Sequence, residues 1–266
     1  MGGAYLGKRR CKDPTTPVQS GTNVSAYWRW PLTMEPIPFG KDWIVANHGQ
    51  LLIANKPQGL PTQGRRDADY MAFYELLKKH LNGYLGLHHR LDQNTSGLML
   101  FSRNPGINST ISNGFQKRLF EKRYLAICGP WPLRDQALLV DAPLAPKNFR
   151  TGTKQEVSPS GKSAQTHFRL LAQTETLSLV EAKPITGRTH QIRAHLSHLG
   201  VPLLGDRLYG GAHTQHTFML HCWKLSWPKQ GLLKEGSFHL LPPTWWTPHL
   251  PESLLPANVL LADDPC

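Results

Sequence analysis

The sequence predicts a mixed α/β fold of several strands and a few helices. Three observations predict it. Runs of strand length that are apolar or β-prone recur at residues 51–54, 98–101, 122–128, 164–171, 176–183 and 218–227. Two further stretches, 70–81 and 189–199, carry their apolar residues at helical spacing. Glycine and proline fall at the ends of these runs, at Pro57, Gly83 and Gly200, where they close elements instead of interrupting them.

Taken in order, residues 1–40 are rich in Gly, Pro, Thr and Ser without periodicity, which predicts a disordered or loosely attached leader. Met34 is an alternative start, because recognisable order begins just beyond it. A folded domain is expected over 41–248, and a proline-rich tail over 249–266 that wraps the surface. Residues 51–54 form a strand closed at Lys56-Pro57. Asp69 caps the helix over 70–81, which presents Phe73, Leu76, Leu77 and Leu81 on one face and stops at Gly83. A second, more polar helix is expected over 106–119.

The strand over 122–128 places Tyr124, Ala126 and Cys128 on one face. Prolines and glycines in 141–163 indicate a loop or irregular hairpin, and two strands near 164–171 and 176–183 follow. Thr189 opens a helix with Ile192, Leu196 and Leu199 as its buried stripe and Gly200 as its stop. A glycine-rich return over 201–211 leads to strands near 218–227 and 237–241.

Lysine and arginine exceed acidic residues by 30 to 18, a net charge of +12 that favours a polyanionic partner. No apolar run approaches the ~20 residues of a membrane span. Lys8, Arg9 and Arg10 have no apolar core behind them, so neither a membrane nor a signal peptide is expected. Cys11, Cys128, Cys222 and Cys266 are scattered, consistent with reduced thiols in the cytoplasm. His190, His195 and His198 do not share one helical face and have no acidic or cysteine cluster beside them, so no metal is expected.

The most distinctive stretch is His89-Arg90-Leu91-Asp92-Gln93-Asn94-Thr95-Ser96-Gly97-Leu98, a polar knot between apolar flanks. Thr95 and Ser96 can bond the local backbone, and Gly97 permits a tight turn. Such a knot either caps its own loop through Asp92 or fixes a reactive carboxylate on a rigid base. Tyr124, beside Lys122 and Arg123, reads as half-buried strand packing. Arg193 flanks the buried stripe of its helix and is either a surface arginine near the helix's middle or a partly buried guanidinium that needs an anion. Arg188, ahead of that helix, suits a phosphate contact, Leu220 reads as core, and Arg90 suits a salt bridge.

The knot resembles the HRLDxxTSGL signature of the RluA-type RNA pseudouridine synthases, with Gln93-Asn94 standing where members often carry a basic residue after the aspartate. Asn55–Thr62 resembles that family's first motif, a strand and turn beneath the active site. Lys122-Arg123-Tyr124-Leu125-Ala126 resembles a second. The segment 184–196, followed by Gly205-Asp206 and Tyr209-Gly210, resembles its GRTHQIRxHL motif, and Met219-Leu220-His221 its closing motif. The resemblance spans roughly residues 45–245.

The resemblance implies an α+β catalytic domain over 41–248 on a largely antiparallel central sheet flanked by helices and loops. It implies Asp92 as the essential catalytic residue, Tyr124 stacking on the target base, and Arg193 pairing with Asp92. Leu220 then packs near the base and Arg90 fills the space left by the flipped nucleotide; Arg188, from its place before the helix, is expected to bind substrate at RNA phosphate. The implied reaction detaches uracil from its ribose and rejoins it through carbon 5, with no metal or other cofactor. Large-subunit ribosomal RNA is the leading expected substrate and transfer RNA the next; separately, a cytoplasmic monomer is expected.

Lys117, Arg118, Lys122, Arg123, Lys147, Arg150, Lys154 and Lys162 are candidates for an RNA-facing surface. Two rivals stay open: a catalytically idle RNA-binding or RNA-folding factor on the same scaffold, and a glycosidase-like hydrolase. The second wants two catalytic carboxylates where the motifs place one.

Overall fold

The computed structural model describes residues 3–7, 9–11, 15–27, 39–64, 72–132, 137–149, 152–212, 218–231 and 233–254. Strands β1 (Gly3–Leu6), β2 (Arg9–Cys11) and β3 (Val24–Tyr27) form a small antiparallel sheet in the order β2-β1-β3. The segment expected as a disordered or loosely attached leader therefore carries backbone pairing. Ladder hydrogen bonds join main-chain groups and need no apolar period, so composition does not reveal them. Met34 lies outside the described residues.

A 3-10 turn at Lys41–Trp43 leads into β4 (Ile44–His48), which pairs with β5 (Leu51–Lys56). Helix α1 (Phe73–His80) buries Phe73 and Leu77 as its spacing predicts. Its cap position is Ala72, and the expected cap Asp69 lies outside the described residues. Strands β6 (Gly86–Leu87) and β7 (Ser96–Ser102) flank the polar knot, and a 3-10 turn capped by Asn104 opens α2 (Asn108–Gln116). Then come β8 (Glu121–Cys128), β9 (Ala137–Asp141) and a hairpin, β10 (Leu144–Phe149) with β11 (Gly152–Val157), where a loop or irregular hairpin is expected. Strands β12 (Gln165–Gln173) and β13 (Ser178–Pro184) precede α3 (Gln191–His198), and β14 (Leu220–Trp227) pairs with β15 (Gly236–His239).

The central sheet has ten described strands along β4-β5-β7-β14-β8-β13-β12-β9, with β6 on β7 and β15 on β14. Among the described pairs, only β7 with β14 is parallel. Gly97 sits in that pairing at φ 112°, and a Cβ there would lie 2.3 Å from the carbonyl oxygen of Cys222. No side chain fits, so this glycine holds β14 close behind the polar knot.

Alternation along β8 divides the core as its period of two predicts. Tyr124, Ala126 and Cys128 join the larger cluster, while Leu125 and Ile127 join a second with Leu179, Met219 and Trp246. Leu250 and Leu254 also belong to the second cluster, Leu254 being 0% exposed. The described start of the segment expected to wrap the surface is thus partly buried, because Trp246, Leu250 and Leu254 recur at four-residue spacing and cover the sheet's second face.

Candidate active site

The knot is clasped from below by the segment after β5. The Lys56 ammonium, fully buried, donates to the carbonyls of Pro57 (2.9 Å), Leu60 (2.6 Å) and Gln93 (2.9 Å). Burial pushes Lys56 down to about 7, and the charge of Asp92 pushes back. Thr62 Oγ1 donates to Leu91 O at 2.8 Å and accepts from Leu91 N at 3.1 Å. Gln58 Nε2 ties Asn94 O to Phe218 O, both at 2.9 Å. Gln93 and Gly59 exchange two bonds, so Gln93 is engaged with the supporting turn.

Thr95 N donates to Asp92 O, closing the turn. Ser96, expected to bond the local backbone, instead pairs with His221 Nδ1 at 2.8 Å across the parallel strands. His221 Nε2 faces the carbonyl of Leu240, which leaves Nδ1 to accept the serine proton.

This base holds Asp92 at a cavity of about 570 Å³. The cavity is lined by the knot, the end of α2, the start of β8, residues 183–193 and Leu220. All six residues singled out from the sequence line it: Asp92, Tyr124, Arg193, Arg90, Leu220 and Arg188. Arg193 is 6% exposed and finds two anions. Its Nε and Nη2 donate to Asp206 at 2.7 and 2.9 Å, and its Nη1 reaches Asp92 Oδ2 at 3.4 Å. The expected pairing with Asp92 is present, but the tighter, two-pronged partner is Asp206, 1% exposed. Burial alone would lower the Arg193 pKa, yet the bonds and charge of Asp206, with Asp92 adding to them, hold it above the usual value. The guanidinium also lies over the rings of Phe218 (4.3 Å) and Tyr209 (4.9 Å).

Tyr124 is buried in the cavity wall, in register with Cys222 of the neighbouring β14. Burial, then the neighbouring Cys222 and Asp92, hold the phenol well above its ordinary pKa, so it keeps its proton. Leu220 is buried at the start of β14. Arg90 and Arg188 are exposed at the rim, and Arg188 Nε donates to Ser163 O at 3.0 Å.

The candidate basic surface divides. Arg118 and Lys122 line the cavity, with Lys122 over the Phe115 ring. Arg123 is tied to Glu121 and Glu181, and Lys147 to Glu156, so their charges are largely spent within the protein. Arg150 lies outside the described residues. His195 sits between Thr166 Oγ1 and Ala142 O as a buried structural histidine. Among the described residues no group of three or more His, Cys, Asp or Glu is placed to hold a metal ion, and no helix is long and apolar enough to cross a membrane.

Four residues at the site were not assigned from sequence: Lys56, His190, Asp206 and Tyr209. Asp206 and Tyr209 stood in quoted motif segments, but spacing alone does not show that they converge on Arg193. Lys56 also stood in a quoted segment, Asn55–Thr62, as the end of a strand, and nothing local shows that its ammonium is buried.

A profile of RNA pseudouridylate synthases matches residues 50–198. An RNA pseudouridine synthase of Bacillus subtilis, YhcT, is 37% identical over 180 residues, covering 65% of this chain and 59% of that protein. Another from Synechocystis is 33% identical over 224 residues, covering 78% of this chain and 76% of its own length. The ribosomal large subunit pseudouridine synthase C of Vibrio cholerae is 34% identical over 169 residues, covering 63% of this chain and 52% of that protein. The chain thus matches little more than half the length of two of these three relatives. Among solved structures, human RNA pseudouridylate synthase domain containing 4 superposes with a TM-score of 0.62 at 26% identity, covering 77% of this chain and 90% of the human one.

Proposed function

Because the chain belongs to the RluA-type RNA pseudouridylate synthase family, we propose that it isomerises uridine to pseudouridine in structured RNA, with Asp92 as the reacting carboxylate. One observation carries the reading. Asp92 stands against a guanidinium clamped by Asp206, in a cavity whose wall also offers a flat phenol, Tyr124, and an apolar side chain, Leu220.

In the reaction the bond between ribose C1′ and uracil N1 breaks and one from C1′ to C5 forms. N1 gains a proton and C5 loses one, so the change is an isomerisation with no redox step. The target base must leave its stack to reach Asp92. Tyr124 then supports the extruded uracil by stacking, and Leu220 packs beside it. Arg193 keeps Asp92 ionised and in place. Arg90 and Arg188 at the rim meet the flanking RNA, Arg90 where the base has left and Arg188 at phosphate.

Large-subunit ribosomal RNA is the substrate we favour, supported by the name of the Vibrio cholerae relative, and transfer RNA is the second choice. We place the activity in the cytoplasm, with the protein acting as a monomer.

The test incubates the purified protein with ribosomal and transfer RNA and maps pseudouridine, alongside mapping in cells lacking the gene. Pseudouridine at a defined position supports the proposal. RNA binding without product indicates the idle factor, and free uracil with an abasic ribose indicates the hydrolase.

A further inference from the structure

Among the described residues, two non-glycine positions have positive φ, Arg118 at 60° and His190 at 54°, and both line the active cavity. The left-handed region disfavours a side chain, and strain of this kind gathers where geometry serves function. At His190 it lets the chain turn from the end of β13 into α3 within a few residues. The buried Gln191 secures that turn, its Oε1 accepting from Thr186 Oγ1 (2.7 Å) and Arg188 N (3.0 Å).

The turn brings His190 Nε2 to 3.9 Å from Asp92 Oδ2 and Nδ1 to 3.2 Å from Tyr209 Oη. Tyr209 Oη already accepts the N–H of Gln155 at 2.9 Å, so its own proton is available to Nδ1. That arrangement leaves the ring proton on Nε2, facing the carboxylate. Arg193 Nη1 approaches the same oxygen, Oδ2.

We propose that His190 is a positioning residue for Asp92: Arg193 contacts Oδ2 and the His190 ring flanks it, so that Oδ1 is presented to the ribose. The proposal rests on the function proposed above. At 3.9 Å the dipole of a neutral Nε2–H orients the carboxylate without a formal bond, whereas an imidazolium would set a second full charge beside that of Arg193 and weaken the carboxylate as a reacting group. Burial, then Arg193, lower the pKa of His190, while Asp92 and Asp206 raise it and the lowering prevails. Burial pushes Tyr209 up to about 12, so it remains a proton donor. The charged and titratable groups facing this cluster are Asp92 from the knot, Arg193 from α3, Asp206 and Tyr209 from the return after α3, and Lys154 of β11 over the Tyr209 ring.

The test combines two measurements. Long-range proton–nitrogen NMR of His190 should show the Nε2–H tautomer at neutral pH, and Tyr209→Phe should shift it toward Nδ1–H. Single-turnover pseudouridine formation and RNA affinity are then compared from about pH 5 to 8, the range in which imidazoles titrate. The variants are His190→Asn, which tolerates a left-handed backbone and keeps an N–H, and His190→Gly, which relieves strain and removes the contact. His190→Gly should lose about tenfold to a hundredfold in rate at unchanged affinity and thermal midpoint, as for a displaced reacting group. His190→Asn should retain more and lose the acid-side decline of the wild type. A Nδ1–H tautomer, a wild-type rate in His190→Gly, or an unaltered acid limb in His190→Asn overturns the proposal. If the wild type makes no pseudouridine, the function proposed above fails, and the tautomer measurement still decides the geometry.

Discussion

Arg193 and Asp206 form a two-pronged ion pair at 2.7 and 2.9 Å, almost wholly out of water, and the pair's remaining guanidinium edge is what reaches Asp92. The carboxylate facing the cavity is therefore held by an arginine that is itself held by a second carboxylate. This orders the consequences of substitution.

Asp206→Ala should destabilise the fold by ~3–5 kcal/mol, because it leaves a buried guanidinium with one longer-range partner. Replacing both members, Arg193→Met with Asp206→Leu, should be less destabilising than either single change, since no buried charge remains. Both proteins should be inactive. Urea denaturation and single-turnover assays check this, and a double variant no more stable than the singles would contradict it.

Asp92→Asn should abolish pseudouridine formation while shifting stability by no more than ~1 kcal/mol. Asp92 is about a quarter exposed, and Arg193 keeps its main partner in the variant. RNA affinity should stay within a few-fold of wild type. Appreciable turnover by the purified variant would remove Asp92 from the reacting role.

Tyr124 bears on both binding and packing, because it is only 6% exposed. Tyr124→Phe loses only the hydroxyl and should bind RNA as wild type does. Tyr124→Leu keeps bulk but not the ring, and should weaken binding by ~1–3 kcal/mol if base stacking is its contribution. Equal affinity for the phenylalanine and leucine variants would show that the ring does not hold the base.

Lys56 should give stability a distinctive pH dependence. Its folded pKa of about 7 lies below the ordinary 10.5, so between these values the unfolded chain binds more protons than the folded one. Stability from this group therefore rises with pH across that window and falls as pH returns toward 7. Lys56→Met should lack that rise, and near pH 7 should lose ~1–3 kcal/mol for carbonyls left without a donor. Chemical denaturation of both proteins at several pH values isolates the difference, since their other titrating groups are shared. Parallel curves would show that Lys56 is not depressed.

Periodicity and motif spacing alone determined much of this protein. The alternation of residues 122–128 placed Tyr124, Ala126 and Cys128 on one face, and the stripe of Ile192 and Leu196 identified the helix that carries Arg193. Asp92, Tyr124 and Arg193 became candidates because local strings around them resemble family motifs, and the structure places all three at one cavity. Tertiary structure alone decided how these residues meet. Arg193 and Asp92 stand 101 positions apart, and which carboxylate receives two bonds depends on how the return after α3 packs against the helix. The left-handed turn at His190 follows from the short path between β13 and α3. The burial of Lys56 follows from three carbonyls supplied by two separate loops. The physical reason is common to all three. Side-chain period follows from local backbone geometry, whereas the partner of a buried charge depends on which distant segment excludes water from it.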